Sequence, residues 1–211
     1  MLRPRLKRLL RVSLRMVFLL TTIFCFWLGF KVQQVKQQRE AVAWVEKVGG
    51  AVRYDYEYSD FDRQFLYPAP DLPGPNWVSN VLGGDFFATV VDVELVDAEV
   101  DDLSHLEALY NLKSLFLERT RIGDVESLAS LTSLRILMLR EMQVKDLSVL
   151  IGLANLKELW LESVPVDDLS PLTKLTHLET LVLDMPIAEE QFQQLKGSLP
   201  ACEILAGGGT Y

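Results

Sequence analysis

The sequence predicts an α/β solenoid with a parallel sheet along its concave side and short helical turns on its convex side, preceded by an N-terminal transmembrane helix. Three observations predict it: apolar residues recurring with a period of 22, an uncharged run from Met16 to Phe30, and a net charge that changes sign between those two parts.

The charge comes first, because it separates the parts. Residues 1–40 carry nine Lys or Arg and one acid, Glu40, so of the 21 bases and 29 acids in the chain, 12 bases and 28 acids remain in residues 41–211, a net of −16. A basic arm joined to an acidic domain fits a membrane-proximal segment and a separate folded unit. No nucleic acid is expected as a partner, since no basic face survives that excess of carboxylates. Cys25 and Cys202 lie in unlike, distant segments, which excludes a disulfide framework, and two histidines (His105, His177) leave little for a metal site or a triad.

Met16–Phe30 spans only about 22 Å as a helix, short of the roughly 30 Å hydrocarbon core. Arg15 and Lys31 can snorkel, which extends the apolar length through Val12, Leu14, Val32 and Val35 to a span of residues 12–35, with Trp27 and Phe30 as interfacial aromatics. The rival reading is a cleaved secretory signal. Cleavage wants small residues at both specificity positions, and after the run only Gly29 stands, two places beyond Trp27; Ala41-Val42-Ala43 lies past Lys36, Arg39 and Glu40. An uncleaved anchor is therefore expected. Six bases precede it and three follow, so residues 1–15 are expected in the cytoplasm and the acidic domain outside that membrane. No Asn-x-Ser/Thr acceptor occurs, which favours a bacterial inner membrane with a periplasmic domain over a eukaryotic lumen.

Counted from Phe87, Leu109, Leu131 and Leu153, each 22-residue unit places apolar side chains at positions 1, 4, 7, 9, 12, 14, 17 and 20; of the 32 slots 31 are apolar, and Thr120 is the exception. Positions 7 and 9 have strand spacing, while 14, 17 and 20 share one side of a short helical turn. No unit can bury its own apolar edge, so each coil must serve as the lid of the next. The pattern Leu-x-x-Leu-x-x-Leu-x-Leu, ending in Asp-Leu-Ser-x-Leu at Asp146–Leu150 and Asp168–Leu172, resembles the leucine-rich-repeat family, in its 22-residue internalin-like class. The resemblance covers residues 87–185 and implies protein or ligand binding without catalysis. It departs at position 12, where that family has Asn to hydrogen-bond the turn and this chain has Ala98, Thr120, Met142 and Val164.

Caps are expected at both ends of the stack. Residues 36–86 supply a juxtamembrane helix and N-terminal cap: Trp44–Gly50 reads as a helix stopped by glycine, and Val52, Tyr54, Tyr56 and Tyr58 alternate as a strand. Trp77–Gly84 has the same build, and the proline-rich residues 59–75 read as a loop. The repeats occupy 87–186. After Leu183 the register slips by one, with Ile187 in the role of position 14; residues 187–205 form a C-terminal cap with a helix over Glu189–Lys196, and 206–211 a tail.

Position 16 is Asp in every complete unit: Asp102, Asp124, Asp146 and Asp168. Each is expected to cap its convex turn. A column of carboxylates also suggests calcium, but no EF-hand-like loop accompanies it, and no cofactor is expected. No pair of carboxylates is singled out for glycoside hydrolysis, and the Gly-Gly pairs lack the Lys-Ser/Thr of a phosphate loop.

The concave face carries the functional expectation. Position 8 runs Glu94, Phe116, Met138, Trp160, Val182, so three large apolar side chains stand side by side at about 4.8 Å. Position 5 brings Lys113, Arg135 and Lys157 beside them, and position 10 brings Glu118, Arg140 and Glu162. These nine residues form the expected surface for a protein partner. The chain is thus read as a single-pass, membrane-anchored interaction module and not an enzyme. The alternatives are a structural or assembly element of the cell envelope, or a stripe covered by the chain's own 59–75 loop. Oligomeric state is open, because the helix from Lys31 to Val48 has two choices: the domain or a copy of itself.

Overall fold

Alternating leucines make strands here because each coil has room for only five to seven extended residues before it must turn. The computed structural model describes residues 14–59, 64–65, 86–123 and 125–207. The chain begins with a 34-residue helix α1 (Leu14–Lys47), followed by β1 (Ala51–Tyr54) and a small antiparallel pair, β2 (Tyr58–Ser59) with β3 (Gln64–Phe65). The coils then contribute β4 (Val90–Val96), β5 (Ser114–Glu118), β6 (Ile136–Arg140), β7 (Glu158–Glu162) and β8 (Thr180–Asp184), closed by helix α2 (Glu189–Ser198) and β9 (Glu203–Gly207). Seven strands form one sheet in the order β1-β4-β5-β6-β7-β8-β9, parallel throughout except for β1, which runs antiparallel to β4.

Consecutive coils pair in register: Leu115, Leu137, Leu159, Leu181 and Ile204 are mutual partners, as are Leu117, Leu139, Leu161, Leu183 and Ala206. The leucines in these two columns are fully buried. Each burial is worth about 1.5–3 kcal/mol, which is what stacking recovers from coils too thin to have interiors of their own. The convex sides are five-residue 3₁₀ turns at Ser104–Ala108, Glu126–Ser130, Ser148–Gly152 and Ser170–Lys174, each burying the leucine at position 20.

The missing asparagine at position 12 is resolved one residue earlier. Position 11 (Asp97, Arg119, Glu141, Ser163) adopts a left-handed backbone, with φ between 48° and 53°. Its N–H donates to the position-10 carbonyl of the next coil at 2.9–3.0 Å, Asp97 to Glu118 and Arg119 to Arg140 among them. The turn is thus held by backbone bonds between coils, and position 12 is released to point inward as apolar filling: Ala98, Met142 and Val164 are buried. Thr120 is buried there too, and its hydroxyl has no partner.

Two expectations need correction. Phe87 occupies an apolar slot in the repeat but is 37% exposed, packing edge-on against Phe86 instead. Phe87 opens the first unit, so no earlier coil of the repeat lies over it, and the Gln38 side chain of α1 engages the neighbouring Ala88 and Val90 instead. The expected strand from Val52 to Tyr58 breaks after Tyr54, where the register with β4 shifts and a 3₁₀ turn (Asp55–Glu57) begins. Asp55 there accepts the Thr89 N–H through its carboxylate at 3.0 Å and donates its own N–H to the Thr89 carbonyl at 2.9 Å. Beyond Leu183 the turn shortens, Met185 is buried, and α2 follows with Leu195 buried. Trp77–Gly84 and nearly all of the 59–75 stretch lie outside the described residues.

Helix α1 is continuous through both the apolar run and the cap. Its second half lies on the first coil: Val35, Gln38, Ala41 and Val45 are buried at i, i+3 and i+4 spacing, and Trp44 stacks on His105 at 4.8 Å. It stops at Gly49, φ +83°, with the Gly50 N–H on the Val45 carbonyl and the Gly49 N–H on the Glu46 carbonyl. Gly50 is also a packing requirement: a Cβ there would stand 2.4 Å from Leu95 and 2.8 Å from the Glu94 carbonyl.

Candidate protein-docking face

The parallel register turns a sequence period into a column in space. Glu94, Phe116, Met138, Trp160, Val182 and Leu205 are successive partners across six strands. With strands about 4.8 Å apart, Phe116 to Leu205 makes an apolar column roughly 19 Å long. Phe116, Met138, Trp160 and Val182 are half-buried and Leu205 is 48% exposed, so every side chain of the column is partly open to solvent. Shallow hollows flank both ends, one between Arg53, Glu94, Phe116 and Met138, the other between Val182, Phe192 and Leu205.

The position-10 row is an ion ladder. Arg140 reaches Glu162 at 3.3 Å and Glu118 at 3.8 Å, and Arg119 in the next row closes on Asp97 at 2.6 Å and also on Glu118. Hydrogen bonding to Arg119 holds the Asp97 carboxyl below its usual range. These side chains are partly or fully exposed, so the ladder fixes their directions more than it stabilises the fold. A partner must therefore compete for Glu118, Arg140 and Glu162.

The position-5 row behaves differently. Lys157 pairs with Glu179, whereas Arg135 is exposed and makes no ion pair among the described residues. Lys113 and Arg135 line a groove of about 350 Å³ with Asn111, Ser133, Asn155 and Asp55. The amide and hydroxyl residues of this groove were not singled out from sequence. Asn111, Ser133 and Asn155 share position 3 of the repeat, and that shared phase is the signal that could have found them.

Position 16 acts on its own turn. Asp102, Asp146 and Asp168 each accept the N–H of the serine two residues on, at 2.8 Å, and this bonding holds all three carboxyls below their usual range, with the Ser104 hydroxyl the leading cause at Asp102. Asp124 lies outside the described residues. Among those residues no group of three or more His, Cys, Asp or Glu is placed to hold a metal ion.

Sequence reasoning missed one buried charge. Asp92 on β4 meets Arg53 of β1 at 2.8 Å, and Arg53 also reaches Glu94 at 3.3 Å. Burial pushes the Asp92 carboxyl up to about 6 against the pull of Arg53, and its second oxygen has no hydrogen-bond partner. An acid at position 6 among apolar neighbours was its only mark in the sequence.

Neither a family model nor a curated protein matches the sequence. Among solved structures, the leucine-rich-repeat ectodomain of a receptor kinase from Arabidopsis thaliana is similar, with a TM-score of 0.50 and 16% identity over 82% of this chain and 92% of that one. Internalin C2 from Listeria monocytogenes is 32% identical over 56% of this chain and 53% of its own, with a TM-score of 0.47. Another Listeria monocytogenes internalin is 24% identical over 53% of this chain and 34% of its own, with a TM-score of 0.47. This chain matches only about a third to a half of the length of those internalins. In-register parallel coils of 22 residues make the fold a leucine-rich-repeat solenoid, with a long apolar helix ahead of it.

Proposed function

We propose that the chain is a single-pass, membrane-anchored interaction module that binds a protein partner on the concave face of its solenoid, through Phe116, Met138 and Trp160. The observation that carries this is the in-register apolar column, partly open to solvent and flanked by a charged row on either side. Large aromatics held rigidly by a sheet lose little side-chain entropy on docking and are favoured interface anchors. Arg135, with Lys113 and Lys157 beside it, supplies the charge that a partner would meet first.

The anchor reading is supported by the helix itself. Residues 16–27 are exposed, and the hydroxyls of Thr21 and Thr22 donate to carbonyls one turn back, at 2.9 and 2.7 Å, so the segment satisfies its own polar groups as lipid requires. Cleavage after Ala43 would remove buried Ala41, and Gln38 with it, from the cap, which favours an uncleaved segment. On this reading residues 1–15 are cytoplasmic and the solenoid is extracytoplasmic.

The test is capture by the detergent-solubilised full chain, wild type beside Trp160→Ala. A partner retained by wild type and reduced at least tenfold by the variant supports the reading. Equal capture removes the stripe from the mechanism and leaves the role of an envelope assembly element, a reading favoured by the self-paired charges of position 10.

A further inference from the structure

We infer that the N-terminal edge of the solenoid, where the first coil passes into the second, is itself a bilayer-contact surface, with Tyr110 seated in the headgroup layer of the membrane that α1 enters; this rests on the anchor reading above. The argument is one of length. Phe30 ends the uncharged run and, among the described residues, Gln34 is the first of α1 with a side-chain hydrogen bond to the solenoid, its Oε1 accepting the Tyr110 hydroxyl at 3.1 Å. Only residues 31–33 lie between. Phe30 to Gln34 is thus a rise of about 6 Å, and where snorkelling of Lys31 carries the apolar span on toward Val35, Gln34 stands closer still to the hydrocarbon. A bilayer adds roughly 5–8 Å of headgroup region to each side of its hydrocarbon core, so a side chain held at the level of Gln34 lies within that layer.

The domain has no hinge by which to stand away. α1 is helical without interruption from Leu14 to Lys47, and Gln38 grips the chain where it enters β4, its Nε2 donating to the Ala88 carbonyl at 3.0 Å and its Oε1 accepting the Val90 N–H at 3.3 Å. Ala41 and Val45 continue into the core. Lifting this edge off the membrane would require breaking these contacts or bending the helix.

The side chain at this level also suits the place. Tyr110 is 40% exposed, and the equivalent residues of the later coils, Thr132, Ala154 and Thr176, are small. The aromatic occurs at the start of the second coil, where α1 first meets the stack. Tyrosine, with an apolar ring and a polar end, is a residue that membrane interfaces favour; exposed Lys36, half a turn beyond Gln34, is paired with the exposed Glu40 at 3.8 Å, a pair that lipid phosphate can displace.

The experiment is site-directed spin labelling of the full chain in phosphatidylcholine/phosphatidylglycerol vesicles, in a Cys25→Ser, Cys202→Ser background. Labels are placed at Tyr110→Cys, at Thr176→Cys (the same position three coils on) and at Phe26→Cys in the anchor. Expected is a label at 26 shielded from a water-soluble nickel chelate, and a label at 110 several-fold less accessible to it than the label at 176. Equal accessibility at 110 and 176, with 26 shielded, overturns the inference and leaves the anchor standing. A label at 26 open to the chelate removes the anchor and the inference together. As a second arm, inserting Gly-Ser-Gly-Ser between Lys31 and Val32 must raise accessibility at 110 to that at 176; failure to do so also overturns it.

Discussion

Residues 109–174 and residues 14–54 are held by opposite means. In the repeats one contact is made again every 22 residues: Leu137 meets Leu115 and Leu159 as Leu139 meets Leu117 and Leu161. In the N-terminal cap every contact occurs once: the two-way grip of Gln38, the stack of Trp44 on His105, the ion pair of Arg53 with Asp92, and the space that only Gly50 leaves open. Repetition spreads stability over many equal parts, whereas the cap concentrates it in a few residues that cannot substitute for one another.

The sharpest way to break this comparison is to cut into the repeat. Leu137→Ala and Leu159→Ala should each cost about 2–5 kcal/mol, and the two values should agree within about 1 kcal/mol because the sites are translational copies. Chemical denaturation reads both, and a wide difference would mean that the coils are not equivalent. Next is Gly50→Ala, which forces a methyl against Leu95, Val45 and the Glu94 carbonyl. It should cost about 1–3 kcal/mol and increase protease cleavage in α1 before the repeats are lost. In the opposite direction, Thr120→Val removes the one polar slot of the repeat and its unpartnered hydroxyl, and should raise stability by about 1 kcal/mol.

The smallest effect concerns pH. Asp92 has a folded pKa of about 6, above its ordinary 3.8, so its contribution to stability is complete below about 3.8 and is lost as pH rises through 6. Asp102, Asp146 and Asp168 act the other way, since their carboxyls lie low and their contribution is lost only as pH falls below about 4. Between about pH 7 and 5 the Asp92 effect dominates. Wild type should gain more stability than Asp92→Asn on acidification across that window, as followed by denaturant melts; equal gains would place the proton elsewhere.

The comparison also explains what the sequence made legible. Leucines at positions 4, 7 and 9 announce themselves because a period repeats the signal, and the register that aligns Phe116, Met138 and Trp160 follows from equal coil lengths. Single contacts carry no such redundancy. Gln38 reads as one more surface polar residue of a helix, and Phe87 reads as core because its slot does not say that no earlier coil covers it. The left-handed turn at position 11 was hidden for another reason: Asp97, Arg119, Glu141 and Ser163 share a backbone conformation but no side-chain chemistry. The charged residues beside the stripe were visible as rows, while the ladder that engages Arg140 with its acidic neighbours depended on side-chain directions that spacing does not give.

The concave column as the docking surface is tested most directly by photo-crosslinking in intact membranes, with a photoreactive amino acid at Met138 or at Ile151. Both lie in the same coil, and Ile151, on the convex turn, is 48% exposed while Met138 is half-buried. Exposure alone would favour Ile151. The account predicts a discrete protein adduct from position 138 that is absent from 151; an adduct from 151 with none from 138 would contradict it.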